Sequence, residues 1–498
     1  MKRLSKQWFT EQKHMDQLPE RIIQFGEGNF LRGFIDWMVH KMNKQGLFNG
    51  KIVAIQPTPH GKVVPKLNDQ DALYTVALRG MENGEIIDKV EVVSSISRGI
   101  NPYNDWQEVL KVAENKDIRF VFSNTTEAGL SYSAEEYNSE KSPLSFPGKL
   151  TAFLYHRYQV MNGAAEAGLV ILPCELLEDN GNLLKEIVLR IANDWKLPDS
   201  FIDWVQASNK FCNTLVDRIV TGYPKNDIDE YRTRLGYEDE LITVGEPYHL
   251  FAIEADEETA DAIPFHKAGL NVFWSDVRPF RDIKVRILNG AHTMMFAAGY
   301  LSGKKTVLET MEDELLQEYV GRGIYSEILP VIKMNEFQTK AFADSVIERF
   351  SNPFNQHFLS DIGLNALFKY KSRLLPTLED WTNQKNKLPD IVSFSLAALF
   401  AYYQPERMQG SSRIIRDQPE VIELFMECWS MLNNENVCLE NMVKTILSSK
   451  SLWERDLNEI NDLPETVCGF LTTILESGME NAIDTLISST KMAQEILP

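Results

Sequence analysis

The chain has 498 residues, beyond the size at which one hydrophobic core keeps growing, so two or more domains are expected. Composition is that of a globular protein, 44% hydrophobic and 24% charged. The 51 basic against 71 acidic side chains leave a formal charge of -20, which argues against nucleic acid and anionic membrane surfaces as partners and demands a local basic cluster if the substrate is an anion.

The amino-terminal "MKRLSKQWFTEQKHMDQLPE" lacks the apolar core of a signal peptide, and no run reaches the ~18 apolar residues of a membrane span. Cys174, Cys212, Cys428, Cys438 and Cys468 are odd in number and form no CxxC pair, which points to reduced thiols and a cytoplasmic location. The eight histidines show no metal-ligand spacing, so no metal is expected. Nothing in the sequence sets an oligomeric state.

The first strong signal is "RIIQFGEGNFLRGF", where a short strand around Ile22, Ile23 and Phe25 runs into Gly26-Glu27-Gly28. Phe30, Phe34, Met38 and Met42 then recur on one helical face as far as a stop at Gly46, and a second strand covers Ile52–Ile55. Strand, glycine turn, helix and strand in this order open a dinucleotide-binding unit: Gly26 permits the tight turn and Gly28 lets backbone approach a pyrophosphate. The third glycine of a full GxGxxG is missing, because position 31 is Leu31 and Gly33 comes two residues late. After the second strand stands Gln56 rather than the acid that grips a ribose diol, and His60 and Lys62 follow, so the residues leave NAD and NADP both open.

"LYTVALRG" and "IIDKVEVVSSIS" flank Asn83-Gly84, a hairpin signal, and are expected as an insertion in an otherwise parallel sheet. Further strands are expected at 118–122, before "SNTTEAG", and at 169–172, before "PCELLEDNG". The next helix sets Leu183, Leu184, Ile187, Val188 and Ile191 on one face to pack on the sheet. Beyond about residue 283 helical patterns dominate, as in "PDIVSFSLAALFAYYQP", where Asp390 can cap the start and Pro405 stop the helix. The expected fold is α/β: residues 1–283 form a Rossmann-type domain with an inserted hairpin, and residues 284–498 a mostly α-helical substrate and catalytic domain.

At the seam, "DIKVRILNGAH" interrupts an apolar run with Lys284, Asn289 and His292. On an α-helix Asn289 lies about 140° from Lys284, with His292 between them at about 80°, so the three share one broad face. Singly, each has an ordinary structural reading: a solvated lysine, a capping asparagine, a satisfied core histidine. Together they match what alcohol oxidation needs, a base for the hydroxyl proton and a donor for the developing alkoxide. A lysine serves as that base where burial and neighbouring cations lower its pKa, and Arg278, Arg281 and Arg286 are near in sequence. Lys369, Lys371 and Arg373 in "LFKYKSRLLP" form a second basic set.

"KVRILNGAH" resembles the K-x-R-x-L-N-x-x-H signature of the long-chain mannitol dehydrogenase family, and the resemblance continues through "SNTTEAG", "NTLVDRIVTGYP" and "RFSNP". It implies a Rossmann-type domain, a helical second domain, NAD as cofactor and no metal. Lys284 would be the general base, Asn289 the oxyanion donor and His292 a substrate-orienting group. NAD would be bound by Ile23, Gln24, Phe25, Gly26, Glu27, Gly28, Asn29, Phe30, Leu31, Arg32 and Gly33, with Thr126 and Glu127, and substrate by Asp217, Arg218 and Lys369. Within the family, "PCELLEDNG" and "FCNTLVDRIVTGYP" look most like the branch that interconverts D-altronate and D-tagaturonate in galacturonate breakdown. Sister activities on fructuronate and mannonate or on a neutral polyol are the alternatives, and from another class a dinucleotide-binding sensor without turnover. One departure stands out: mannitol-type members carry Cys-Asp-Asn, whose asparagine is a second oxyanion donor, where this chain has Cys174-Glu175-Leu176. Either Asn289 acts alone or a group such as Asn180 replaces that donor.

Overall fold

The computed structural model describes residues 1–7, 9, 13–405, 415–432 and 438–495. The chain divides into two compact units, residues 1–79 with 86–280, and residues 80–85 with 281–498.

In the first unit the strands are β1 (Glu20–Phe25), β2 (Lys51–Ile55), β3 (Tyr74–Glu82), β4 (Glu85–Val93), β5 (Ile96–Ile100), β6 (Phe120–Ser123) and β7 (Val170–Pro173). Then come β8 (Lys210–Phe211), β9 (Thr214–Asp217), β10 (Val220–Gly222), β11 (Thr243–Gly245), β12 (Leu250–Ile253) and β13 (Val272–Trp274). β1, β2, β5, β6, β7 and β8 make a parallel sheet of order β5-β2-β1-β6-β7-β8, the doubly wound arrangement with its reversal between β1 and β6. Both faces are buried, so its strands are almost continuously apolar: Ile22, Ala54, Phe122 and Leu172 enter one core, and Ile23, Val53, Val121 and Ile171 the other.

The hairpin differs from its expected place. β3 and β4 turn through Asn83 and Gly84, both with positive φ as the tight primed turn requires, but they belong to a separate sheet of order β10-β11-β3-β4. The run "IIDKVEVVSSIS" is cut at Ser94-Ser95, and only its end enters the parallel sheet, as β5. The first helix also departs from a continuous one: it ends at Gly33, breaks at Phe34 and resumes as Ile35–Lys44. A Cβ on Gly33 would stand 3.1 Å from Thr243 Cγ2 and 3.2 Å from Val220 Cγ1, so the break sits where backbone meets the second sheet.

The second unit is helical. Its helix Asp390–Tyr402 is buried along nearly its whole length and packs on the helices Gly290–Leu301 and Leu463–Ser477. Asp390 does not cap this helix by its side chain; Glu327 instead accepts from Ile391 N (2.8 Å) and Val392 N (2.9 Å), satisfying amino-terminal donors from another element. Among the described residues no helix is long and apolar enough to cross a membrane.

One buried cation ties the helix Phe146–Val160 to the segments that lead into β6 and β7. The Arg157 guanidinium, 1% exposed, donates to the carbonyls of Ala167 (2.7 Å), Ala113 (2.9 Å), Asn115 (2.9 Å) and Ile118 (3.0 Å). Burial lowers its pKa to about 10, so it stays protonated at neutral pH. Arg157→Met strips four buried carbonyls of their donors and is expected to destabilise the protein by about 3–5 kcal/mol, measured by urea unfolding.

Candidate functional site

In the first unit the glycine turn lies at the carboxyl end of β1, beside the sheet's reversal, where open α/β sheets bind ligands. Gly26 has φ +122°, and a Cβ there would stand 2.9 Å from Asn124 O; at Gly28 it would meet nothing within 4 Å. The turn is thus closed toward β6 and open at Gly28, which suits close approach of a pyrophosphate. Arg32 is not displayed to a ligand. It is buried, donating to Glu27 O, to Asn29 Oδ1 at 2.7 Å and to Thr243 Oγ1 at 3.3 Å, and it lies over the Tyr74 ring at 5.7 Å. It holds the turn from inside. Below it Asp36 is fully buried, with Gln24 Nε2 3.4 Å from Oδ2, and burial raises its pKa to about 8; burial likewise raises Glu27 to about 7.

Gln56, at the end of β2, is buried and donates to Thr58 O at 2.7 Å, while Gly61 packs so close that a Cβ there would stand 2.6 Å from its side chain. Thr126, in the turn after β6, has φ +75°. Asp217 is buried at the end of β9, and Arg218 donates to Glu246 O (2.8 Å) and Gly33 O (2.7 Å) over the Trp37 ring. Asn180 does not offer a replacement oxyanion donor: 1% exposed, its amide donates to Pro173 O (3.1 Å) and Glu175 O (3.0 Å) and accepts from Thr214 N (2.9 Å). Leu176 is exposed.

In the second unit Lys284–Asn289 is a π-helical turn that continues into the helix Gly290–Leu301. A π turn advances by ~80° per residue rather than ~100°, so Asn289 comes within about 40° of Lys284 and His292 returns to within about 20° of it. The widened turn narrows the sector that the three residues occupy around the helix. Asn289 uses its backbone oxygen to accept from Thr293 Oγ1 (2.9 Å) and Arg373 Nη1 (3.5 Å), and Arg373 also reaches Thr293 Oγ1 at 3.2 Å. His292 meets Phe350 at a tilt of 39° and His357 edge-on at 73°, at ring-centroid distances of 4.3 and 4.7 Å. Burial first, then His357, Arg349, Arg373 and Lys369, hold its pKa well below the usual histidine range, so the ring is neutral at pH 7.

Two of the three cations nearest in sequence, Arg278 and Arg286, are paired elsewhere. Arg278 is exposed and paired with Asp276 at 2.6 Å; Arg286 is buried against Asp380 (2.8 Å) and Thr377 (3.1 Å); Lys371 reaches Glu454 at 2.9 Å. The charges that act on His292 are those of Arg349, Arg373 and Lys369, and burial lowers the pKa of Lys369, with Arg373 the next cause. Arg349 lies in the quoted motif "RFSNP" without an assigned role, and His357 carries no local signal: only folding brings them to the 284–292 turn.

The model of the mannitol dehydrogenase Rossmann domain matches residues 20–267, and that of the mannitol dehydrogenase C-terminal domain residues 276–475. The altronate oxidoreductase of Halalkalibacterium halodurans is 52% identical over 481 residues, covering 95% of this chain and 94% of that one. The altronate oxidoreductase of Bacillus subtilis is 43% identical over 472 residues, covering 95% and 96%. Among solved structures, a D-sorbitol dehydrogenase in substrate-free form shares the fold with a TM-score of 0.76 at 21% identity, covering 94% of this chain and 96% of that one. So does a Pseudomonas fluorescens mannitol 2-dehydrogenase in ternary complex with NAD and D-mannitol, with a TM-score of 0.61 at 19% identity and 95% of each chain covered.

The buried carboxyl under the glycine turn sets a pH dependence. A folded-state pKa of about 8, above the ordinary aspartate value of 3.8, contributes stability that is complete below about 4 and is lost as pH rises through about 8. Asp36→Asn keeps the shape and cannot ionise, so thermal melts should show the variant gaining on wild type between pH 6 and pH 9.

Proposed function

The chain belongs to the mannitol dehydrogenase family, and from that premise we propose that it is an NAD-dependent oxidoreductase interconverting D-altronate and D-tagaturonate. The observation that carries the reading is the π turn Lys284–Asn289 leading into His292, on which the charges of Arg349, Arg373 and Lys369 act. A base, an amide donor and a neutral imidazole provide for the secondary alcohol, and the cations for a carboxylate. The two altronate oxidoreductases above support the substrate, and the NAD-bound relative and the open turn at Gly28 support the cofactor.

Bound NADH supplies the hydride for reduction of the ketone. Lys284 holds the proton that the developing alkoxide takes, and in the reverse direction its neutral amine removes the hydroxyl proton. Asn289 donates its side-chain N–H to the same oxygen and stabilises charge as it forms. A neutral His292 both donates and accepts, so it orients a neighbouring hydroxyl without competing for the carboxylate. Such an enzyme works in the cytoplasm, where its free cysteines stay reduced.

Absorbance at 340 nm with NADH and D-tagaturonate, beside D-fructuronate and D-fructose and repeated with NADPH, tests the reading. Fastest turnover on tagaturonate with NADH is expected; preference for fructuronate or fructose moves the substrate, and NADH binding without turnover on any of them favours a sensor. Lys284→Ala should lose roughly 100-fold or more in kcat while still quenching on NADH titration. Lys369→Ala should raise KM for tagaturonate by about tenfold or more and leave KM for fructose, which has no carboxylate, nearly unchanged.

A further inference from the structure

The tripeptide Cys174-Glu175-Leu176 follows β7, and its middle residue makes contacts that the mechanism above leaves unused. Glu175 is 2% exposed. One carboxylate oxygen accepts from Thr125 N at 2.9 Å and Thr125 Oγ1 at 3.1 Å, the other from Ser123 Oγ at 2.9 Å. All three donors belong to the turn that leaves β6. Asn124, between them, donates its amide to Cys174 O at 2.7 Å and its backbone N–H to Phe25 O at 3.1 Å. The carbonyl of Asn124 is the atom that faces Gly26. The turn is therefore clamped from β7 on one side and abuts the glycine turn on the other.

Thr126 shows why a clamp is needed. A β-branched residue at φ +75° occupies a region that such side chains avoid, and that backbone persists only where its surroundings over-determine it. The crevice outside β1 and β6 is where a doubly wound sheet receives its dinucleotide, and the clamped turn forms one wall.

We propose that Glu175 is a positioning residue for the dinucleotide, fixing the Ser123–Thr126 turn through a carboxylate that accepts from three donors at once; the proposal rests on the dinucleotide-binding reading above. The obligate donor is Thr125 N–H, and the two hydroxyls turn to donate as well; a side chain with no acceptor at this position would leave that N–H buried and unpaired. The place where this chain departs from Cys-Asp-Asn thus works on the cofactor side through Glu175, while Leu176 donates nothing.

The test is NADH binding by fluorescence titration, with steady-state KM and kcat, for full-length wild type, Glu175→Leu, Thr125→Val and the double variant. Glu175→Leu, which offers no acceptor, should raise the NADH Kd roughly tenfold or more, and its KM for NADH should rise by a larger factor than kcat falls or KM for D-tagaturonate changes. Thr125→Val, which removes one arm, should fall between, and the double variant should bind no worse than Glu175→Leu by more than about twofold. A Glu175→Leu protein that binds NADH within twofold of wild type overturns the proposal, as does an equal change in both KM values. If Glu175→Leu does not fold, Thr125→Val and Ser123→Ala decide: weaker NADH binding in both supports the clamp, and wild-type binding in both overturns it. A wild type that binds no NADH overturns the dinucleotide reading and the proposal with it, a result distinct from wild-type binding by the variants.

Discussion

The widened turn at Lys284–Asn289 is the constraint on which the proposed chemistry of the second unit depends. In a regular α-helix the lysine, asparagine and histidine spread over about 140°. One π turn narrows that sector to about 60°. The adjoining α-helices keep their hydrogen bonds, so the turn is a local widening rather than a break. A second π turn, Gly323–Ile328, holds Glu327 against the amino terminus of the buried helix Asp390–Tyr402.

Electrostatics separates the cations into two kinds. Arg286 and Arg278 have carboxylate partners within 3 Å and serve the fold. Lys369 donates to the carbonyl of Ile362 and Arg373 to Thr293, while Asp417 and Asp361 act on Lys369 electrostatically. On a chain of net charge -20, a local cluster of cations is what an anionic ligand requires. These cations add to the burial that keeps the histidine neutral.

The first unit follows a parallel logic with buried polar groups as supports. Arg32 anchors the glycine turn, Arg157 gathers four carbonyls, and Glu175 gathers three donors. Each is a polar group inside a low-dielectric core, tolerable because its hydrogen bonds are met by backbone and side-chain partners.

Much of this was legible in the residues. The apolar strands, the glycine turn and the shift from strand to helix patterns yield an α/β unit followed by a helical one, because local periodicity and turn chemistry act within a few residues. "KVRILNGAH" identifies its three polar positions for the same reason: the spacing is a property of the string. What only the tertiary structure decided lies at long separation. The hairpin leaves the parallel sheet for one built with β10 and β11; Asn180 spends its amide on Pro173 and Thr214; Glu327, not Asp390, caps a helix; and Arg349 and His357 come to His292 from more than fifty residues away. Even the π turn is invisible to periodicity, since one extra residue in a turn shifts the phase without changing composition. Sequence by itself determined which chemical groups are present and which local shapes they prefer; folding decided which charges are neutralised and which remain to meet a ligand, because a partner's position is set by packing and not by spacing along the chain.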